Sequence, residues 1–341
     1  MNHTRGYWWT AGVIAGTLAV STALLSRRGR LHRAALADQI DAVTQHAVNQ
    51  LHVPAESKFI TVNGLQLHTV IAGPRDGQLI VLLHGFPECW YTWRNQIAPL
   101  VQAGYRVAVP DQRGYNLSDK PSGIHPYRLD ALSADVRELI RSFGRDQAIV
   151  VGHDLGGLVA WHLAMHHPEV VDKLIIMNAP HPAAYLREIR ANPAQQHKSW
   201  YVGFFQMPWL PEELIGYAPL ASANLFFRKL AVNQNAFSSF DLHVMATALA
   251  QPEALTNMIN WYRASVRYRA SFADIRLIAA PTLLIWAEED KALGKSLTYG
   301  LEAWVHRLKI YYIPDCGHWA QNEAAEEVNA EMLAFLPQKA M

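Results

Sequence analysis

The chain has 341 residues, half of them hydrophobic, which is enough for one large domain or for a domain with an insertion. Thirty basic residues against 29 acidic ones leave a net charge of +1, and no Lys/Arg cluster in the body is interleaved with aromatic residues. This balance argues against nucleic acid as a partner. The two cysteines, Cys89 and Cys316, lack zinc-binding or redox spacing, so we expect two free thiols and no metal site.

The amino-terminal segment 1–30 predicts a membrane anchor. Residues 8–25 are uncharged and mostly apolar, and at ~1.5 Å per residue they would span roughly 27 Å of a bilayer. Several arginines follow, and the positive-inside rule then places the rest of the chain in the cytoplasm. A cleaved signal peptide and a secreted protein are the alternative, disfavoured because the basic n-region is weak.

Residues 31–54 predict a connector helix that Pro54 ends. Its apolar residues recur at helical spacing, at Leu36, Ile40, Val43, Ala47 and Leu51.

Short strands dominate from residue 55 onward. A hairpin is predicted around Asn63-Gly64. Six apolar runs follow, each typical of a strand buried on both faces, at 79–83, 107–110, 148–151, 171–177, 282–286 and 308–313. Helical stretches, for example 132–143 and 155–166, lie between several of them. We therefore predict an α/β fold with a mostly parallel sheet flanked by helices.

One interval interrupts this alternation. Residues 181–269 are rich in aromatic residues and proline, with helix-like periodicity and no clear strand. The sequence therefore predicts a core formed by 55–180 and 270–341, with 181–269 inserted as a helical cap.

A candidate nucleophile lies in the run G-H-D-L-G-G, between an apolar strand and a helix. A nucleophile elbow needs small residues around the reactive side chain, because the turn is tight and the helix packs closely on the strand. Gly152, Gly156 and Gly157 supply them, and Asp154 takes the nucleophile's position. The alternative role for Asp154 is an ordinary helix N-cap.

Three further motifs fall at the carboxyl ends of strands, where ligands bind in sheets of this type. The loop H-G-F-P presents the backbone N–H of Phe86, which with that of Leu155 predicts an oxyanion hole. Asp290 and His318 follow later strands in the chain order nucleophile, acid, histidine. His318 is the candidate general base and Asp290 the residue that orients it.

Two more residues are expected at the substrate pocket. Trp90 follows the H-G-F-P loop, and His153 precedes the nucleophile. Core packing is an equal alternative for Trp90, and a structural support role is the alternative for His153.

Together the motifs H-G-F-P-E-C-W-Y-T-W, D-Q-R-G-Y-N-L-S-D-K-P, G-H-D-L-G-G, N-A-P-H-P, N-W-Y-R and D-C-G-H-W resemble those of the α/β-hydrolase-fold epoxide hydrolases, over about 59–335. The chain is most similar to the branch with an amino-terminal membrane segment. The resemblance implies two acid tyrosines in the cap, at Tyr262 and Tyr201, with Tyr268 open for the second role. Asn116 stands where most relatives carry glycine, and asparagine tolerates the left-handed conformation.

A carboxylate nucleophile attacks sp³ carbon and forms an alkyl ester, which water then hydrolyses. The resemblance therefore implies conversion of a lipophilic epoxide and water to a vicinal diol, with no metal or organic cofactor. Haloalkane or haloacid dehalogenases, which share the aspartate, are the alternative. They need halide- or carboxylate-binding side chains at positions held here by Phe86 and Leu155. An esterase is disfavoured because no serine occupies the elbow. The sequence assigns no oligomeric state.

Overall fold

The computed structural model describes residues 31, 33–269 and 273–337. Over these ranges no helix is both long and apolar enough to cross a bilayer. The anchor predicted at residues 8–25 lies outside the described residues.

An eight-stranded sheet forms the centre of the fold, in the order β1-β2-β4-β3-β5-β6-β7-β8. The pairs β1–β2 and β2–β4 are antiparallel, and the remaining pairs are parallel. This confirms the predicted fold class and every predicted strand. In chain order the strands are β1 (Ala55–Val62), β2 (Leu65–Ala72), β3 (Leu79–Leu83), β4 (Arg106–Pro110), β5 (Ala148–His153), β6 (Val171–Met177), β7 (Thr282–Ala287) and β8 (Leu308–Ile313).

The central strands are mostly apolar because helices cover both faces of the sheet. β3 and β7 are entirely buried, as the apolar runs predict. The helices of the core are α1 (Ile40–Asn49), α2 (Arg94–Gln102), α3 (Leu129–Ser142), α4 (Asp154–His166), α12 (Ala320–Glu323) and α13 (Ala325–Phe335).

The predicted connector is shorter and broken. A helical turn at 33–37 is followed by a turn at 38–39, and α1 ends at Asn49, five residues before Pro54. Its apolar side still packs inward, with Leu36, Val43, Ala47 and Leu51 buried.

Helices fill the interval between β6 and β7 that the sequence assigns to the cap. They are α5 (Pro182–Ala191), α6 (Pro193–Lys198), α7 (Trp200–Phe204), α8 (Leu210–Gly216), α9 (Pro219–Ala223), a π-helix (Asn224–Lys229), α10 (Ser239–Ala250) and α11 (Ala254–Arg267). Hydrogen bonds of the Arg263 side chain tie α11 to α8 and to the loop before it. Arg263 is paired with Glu212, and its guanidinium also donates to the carbonyls of Phe205 and Met207. The cap lies beside the carboxyl ends of β5 and β7, because its residues share cavities with Asp154 and Asp290.

Candidate active site

Asp154 lies at a sharp turn between β5 and α4. Its φ of 47° is in the left-handed region, which an aspartate adopts at a cost and which is typical of a nucleophile elbow. The turn closes because Gly156 passes against β3, where a Cβ would lie 2.4 Å from the carbonyl oxygens of Leu83 and His84. The tight turn leaves the Asp154 side chain half-buried and facing two cavities.

The loop after β3 supplies a donor to this carboxylate. The backbone N–H of Phe86 donates to Oδ2 of Asp154 at 3.0 Å. Leu155 follows Asp154 in the first turn of α4, where backbone N–H groups have no acceptor within the helix. Both residues of the predicted oxyanion hole therefore lie at the nucleophile candidate.

His318 and Asp290 lie together although 28 residues separate them. Nδ1 of His318 donates to Oδ2 of Asp290 at 2.7 Å, and Asn178 donates to the same oxygen at 2.9 Å. The other oxygen accepts from the backbone N–H groups of Ala292 and Leu293. Burial alone would raise the pKa of Asp290, but the charge of His318 and these hydrogen bonds lower it below the usual value.

The same interactions shift the pKa of the His318 imidazole in the opposite direction. Burial alone would lower the pKa of His318. The negative charge of Asp290 and its hydrogen bond, together with the charges of Asp154 and Glu88, raise that pKa to about 9. At neutral pH the resting site therefore holds a positive ring between two carboxylates.

Glu88 is a residue that the sequence analysis did not single out. It is fully buried behind the site and accepts from the backbone N–H of Gly85 and from Thr92. Nδ1 of His153 lies 2.8 Å from Oε2 of Glu88. Burial alone would raise the pKa of Glu88, but the charge of His153 and its hydrogen bond lower that pKa to about 2. The sequence signal for Glu88 was an acidic residue directly after H-G-F-P in an otherwise apolar run.

Two tyrosines of the cap lie opposite the nucleophile candidate. Tyr201 and Tyr262 line both cavities that reach Asp154, and their rings meet edge to face at 5.9 Å. Burial, together with the negative charge of Asp154, raises the pKa of both phenols well above the usual value. Each hydroxyl therefore stays protonated at neutral pH and is able to donate a proton or a hydrogen bond.

The two cavities extend in different directions from Asp154. The smaller, about 90 Å³, is mainly apolar and lies over α4, with Leu158, Tyr185 and Val202 in its wall. The larger, about 250 Å³, includes Asp290 and His318. Its other walls are aromatic or apolar except for two lysines, and comprise Phe86, Pro87, Lys198, Trp200, Phe205, Phe226, Leu230, Lys291, Ala292 and Trp319. A substrate in these cavities is mainly in contact with apolar surface.

Comparison with known proteins agrees with this geometry. A family model described as the alpha/beta hydrolase fold matches residues 78–325, more than half of the chain. The chain belongs to the α/β-hydrolase fold family. This α/β-hydrolase is 43% identical over 286 residues to AB hydrolase superfamily protein YfhM of Bacillus subtilis (strain 168), covering 82% of this chain and 97% of that relative.

Other similar proteins carry a more specific name. Over 285 residues the α/β-hydrolase is 36% identical to Epoxide hydrolase 1 of Caenorhabditis elegans, covering 82% of this chain and 70% of that relative. The crystal structure of Bacillus megaterium epoxide hydrolase in complex with an inhibitor superposes with a TM-score of 0.76 at 29% identity, covering 82% of this chain and 99% of the other.

Two predicted pocket residues of the α/β-hydrolase lie elsewhere. The side chain of Trp90 is buried in the core beneath the sheet, and only its backbone N–H has a polar role, donating to Asp111. His153 is also fully buried, because its ring lies between Glu88 and the carbonyl oxygen of His318. Neither residue lines a cavity at Asp154. Tyr268, the alternative second tyrosine, packs edge to face against His125 and lines neither cavity.

Proposed function

We propose that this protein hydrates a lipophilic epoxide to a vicinal diol through a covalent ester on Asp154. One observation carries the proposal: a carboxylate and two protonated tyrosines share the same mainly apolar cavities. An epoxide needs both groups at once, since carbon must be attacked while the ring oxygen receives a proton. The named epoxide hydrolases among its relatives support the same reaction.

In the first step a carboxylate oxygen of Asp154 attacks a ring carbon and the carbon–oxygen bond of the epoxide breaks. The leaving oxygen remains on the substrate and takes a proton from Tyr201 or Tyr262. The tyrosine regains a proton from solvent, and the product is a hydroxyalkyl ester of Asp154.

In the second step His318 first loses its proton to solvent, because alkylation has removed the charge of Asp154 that helped to hold it. The neutral ring then takes a proton from water, and the hydroxide adds to the ester carbonyl of Asp154. The N–H groups of Phe86 and Leu155 stabilise the oxyanion. Asp290 stabilises the positive ring that forms. Collapse of the intermediate releases the diol and restores the carboxylate.

The first experiment incubates purified enzyme, in excess over an aryl-substituted epoxide, in water labelled with heavy oxygen. In this first turnover the diol receives its new oxygen from Asp154 and stays unlabelled, while the label enters the peptide that contains Asp154. Label in the diol instead would mean direct attack by water. Release of halide from a matched haloalkane without any diol from the epoxide would favour the dehalogenase alternative.

Two substitutions separate the steps. Asp154→Ala removes the nucleophile and should abolish turnover. His318→Gln should allow alkylation but slow hydrolysis, so that mass spectrometry detects the ester on the elbow peptide. Absence of any adduct in His318→Gln, with the fold intact by circular dichroism, would contradict the covalent route.

We further propose that residues 8–25 anchor the chain in a membrane, with the catalytic part on the cytoplasmic side. The uncharged run followed by arginines supports this. After alkaline carbonate extraction, the full chain should remain with membranes, whereas Val13→Arg combined with Leu18→Arg should be released. Loss of the amino-terminal residues by intact mass would favour a cleaved signal peptide instead.

A further inference from the structure

Exposed apolar side chains are concentrated on one part of the cap. Nine of the 14 large hydrophobic residues that are exposed in the described part of the chain fall within residues 200–232, so this short stretch carries most of them. The most exposed are Trp209 (68%), Trp200 (65%), Leu214 (61%) and Leu225 (52%). Soluble proteins rarely leave so many together uncovered unless they contact a partner or a membrane. We call the exposed surface of residues 200–232 the cap face.

The cap face is formed by consecutive elements that pack on one another. α8 packs against α9, and α9 continues into the π-helix. Trp200 and Leu230, at opposite ends of this stretch, both line the larger cavity that reaches Asp154. Since both side chains are also exposed, the cap face borders the mouth of that cavity.

The first described residues lie at the same surface. A Cβ on Gly216, at the end of α8, would lie 2.7 Å from the Arg33 guanidinium, so residue 33 lies against the cap face. Leu31, two residues earlier, is itself exposed. The described chain therefore begins beside the cap face, so a membrane anchor within the preceding residues would hold this part of the protein near the bilayer.

Charged residues at the cap face favour an anionic surface. Within residues 200–232 the cations are Arg228 and the exposed Lys229, and the exposed Lys291 lines the larger cavity together with Trp200. Glu212 is paired with Arg263, which leaves Glu213 as the exposed acid within residues 200–232. Tryptophan prefers the boundary between lipid chains and headgroups, and lysines near it reach the phosphates.

We propose that the cap face lies in the lipid–water interface of a bilayer containing anionic phospholipids, so that the substrate enters the larger cavity from the membrane. The proposal rests on the proposed epoxide hydration and names the source of its substrate. The occupant is the lipid surface, bound through the apolar side chains around the mouth and the lysines beside them.

The test uses the full chain in vesicles of phosphatidylcholine and phosphatidylglycerol. The cap-face variant is Trp209→Ser with Leu214→Ser, two residues outside both cavities. The control is Phe59→Ser with Leu277→Ser, which removes two similarly exposed apolar side chains from β1 and from the segment before β7. Each protein is assayed with a lipophilic epoxide dissolved in the vesicles and with a water-soluble epoxide.

The cap-face variant should lose roughly tenfold in kcat/KM for the vesicle-dissolved epoxide, because two apolar side chains no longer enter the interface. Its kcat/KM for the water-soluble epoxide should be unchanged, and the control should match wild type with both. Hydrogen exchange across residues 200–232 should slow when vesicles are present, in wild type and in the control but not in the cap-face variant.

Several outcomes would overturn the proposal. Equal loss with both epoxides would indicate a structural effect on the cap, and no loss with either would remove the membrane role. Protection of residues 200–232 without vesicles would mean that another part of the protein covers the cap face. If this protection depends on protein concentration, the cover is a second copy of the chain; if it does not, the cover is residues 1–30. Failure of the proposed function is distinguishable, since wild type would then yield no diol from either epoxide.

Discussion

The backbone conformation and one hydrogen bond fix the position of Asp154, the proposed nucleophile. Its backbone is in the left-handed region, and one carboxylate oxygen already accepts the Phe86 N–H. In the proposed mechanism that N–H points to the place where negative charge forms on the ester carbonyl, so the resting carboxylate and the later oxyanion would use the same donor.

The two cap tyrosines should act as proton donors to the epoxide oxygen. Removing one hydroxyl, in Tyr262→Phe or in Tyr201→Phe, should slow alkylation by on the order of 10²-fold, because the alkoxide loses a general acid. Rapid-quench detection of the Asp154 ester measures this rate. Tyr268→Phe is the matched control, since Tyr268 lies outside both cavities. An unchanged alkylation rate in both variants, or a loss in Tyr268→Phe equal to theirs, would exclude the assigned role.

Hydrolysis of the ester should speed up as pH rises. His318 acts as a base only when neutral, and its pKa of about 9 in the resting site depends partly on the charge of Asp154. Alkylation removes that charge, so the pKa of His318 is lower in the ester than in the resting site, and the neutral fraction grows as pH rises through that pKa. Single-turnover decay of the ester, followed from about pH 6 to about pH 10, measures the dependence. A rate that falls as pH rises would contradict a neutral histidine base.

Most residues around Asp154 could be predicted from the sequence, because strand ends and glycine spacing are local signals. The left-handed conformation allowed for Asn116 is also observed, with φ of 42°. Glu88 was missed, and Trp90 and His153 have the alternative roles of core packing and structural support instead of lining the pocket. The reason is shared: a motif gives neighbours in the chain, whereas alternate side chains of a strand or loop point to opposite sides. Which side faces the cavity depends on packing between distant segments.

The strands could be predicted element by element, and the short cap helices could not. Most strands of the parallel part are apolar runs between turn residues, since burial on both faces demands it. The edge strand β8 differs, because only its last residue, Ile313, is buried. The cap contains several helices of five to seven residues, such as α7, α8 and α9. These are too short to show a clear helical period, and their stability comes from packing, as in the pairing of Glu212 with Arg263.

Two helical glycines should respond in opposite ways to the same substitution. Gly156→Ala places a methyl group 2.4 Å from the carbonyl oxygens of Leu83 and His84, so the elbow must shift or β3 must move. We expect the free energy of unfolding to fall by about 3 kcal/mol or more. Gly203→Ala in α7 meets no atom within 4 Å, and should raise it by about 0.5–1 kcal/mol through lower entropy of the unfolded chain.

Urea denaturation measures both changes, and activity adds a second readout. Gly156→Ala should also lose turnover, because Asp154 is two residues away in the same turn, whereas Gly203→Ala should keep it. Full stability in Gly156→Ala would mean that the close packing of α4 on β3 is not required.

At the scale of the whole molecule, the cap is joined to the core by the loop that carries Asp290. Lys198 of α6 donates to the carbonyl of Asp290 at 2.6 Å. Gln195 donates to the carbonyl of Ala292 and accepts from the N–H of Gly294. On the other side of the site, Phe86 of the core packs edge to face on Tyr262 of the cap. The position of the orienting acid therefore depends on the cap, although they lie far apart in sequence.

Replacing the central residue of this junction should affect stability and catalysis together. Gln195 is 1% exposed, so Gln195→Ala leaves partly buried backbone groups of the loop without these partners and should lower the free energy of unfolding by about 1 kcal/mol. Release of the loop should also lower kcat, because Asp290 then orients His318 less well. Gln196→Ala is the matched control, because the Gln196 side chain is exposed and bonds only within the cap, to the carbonyl of Ile189. A loss of stability in Gln195→Ala with unchanged kcat would show that the acid keeps its position without the cap.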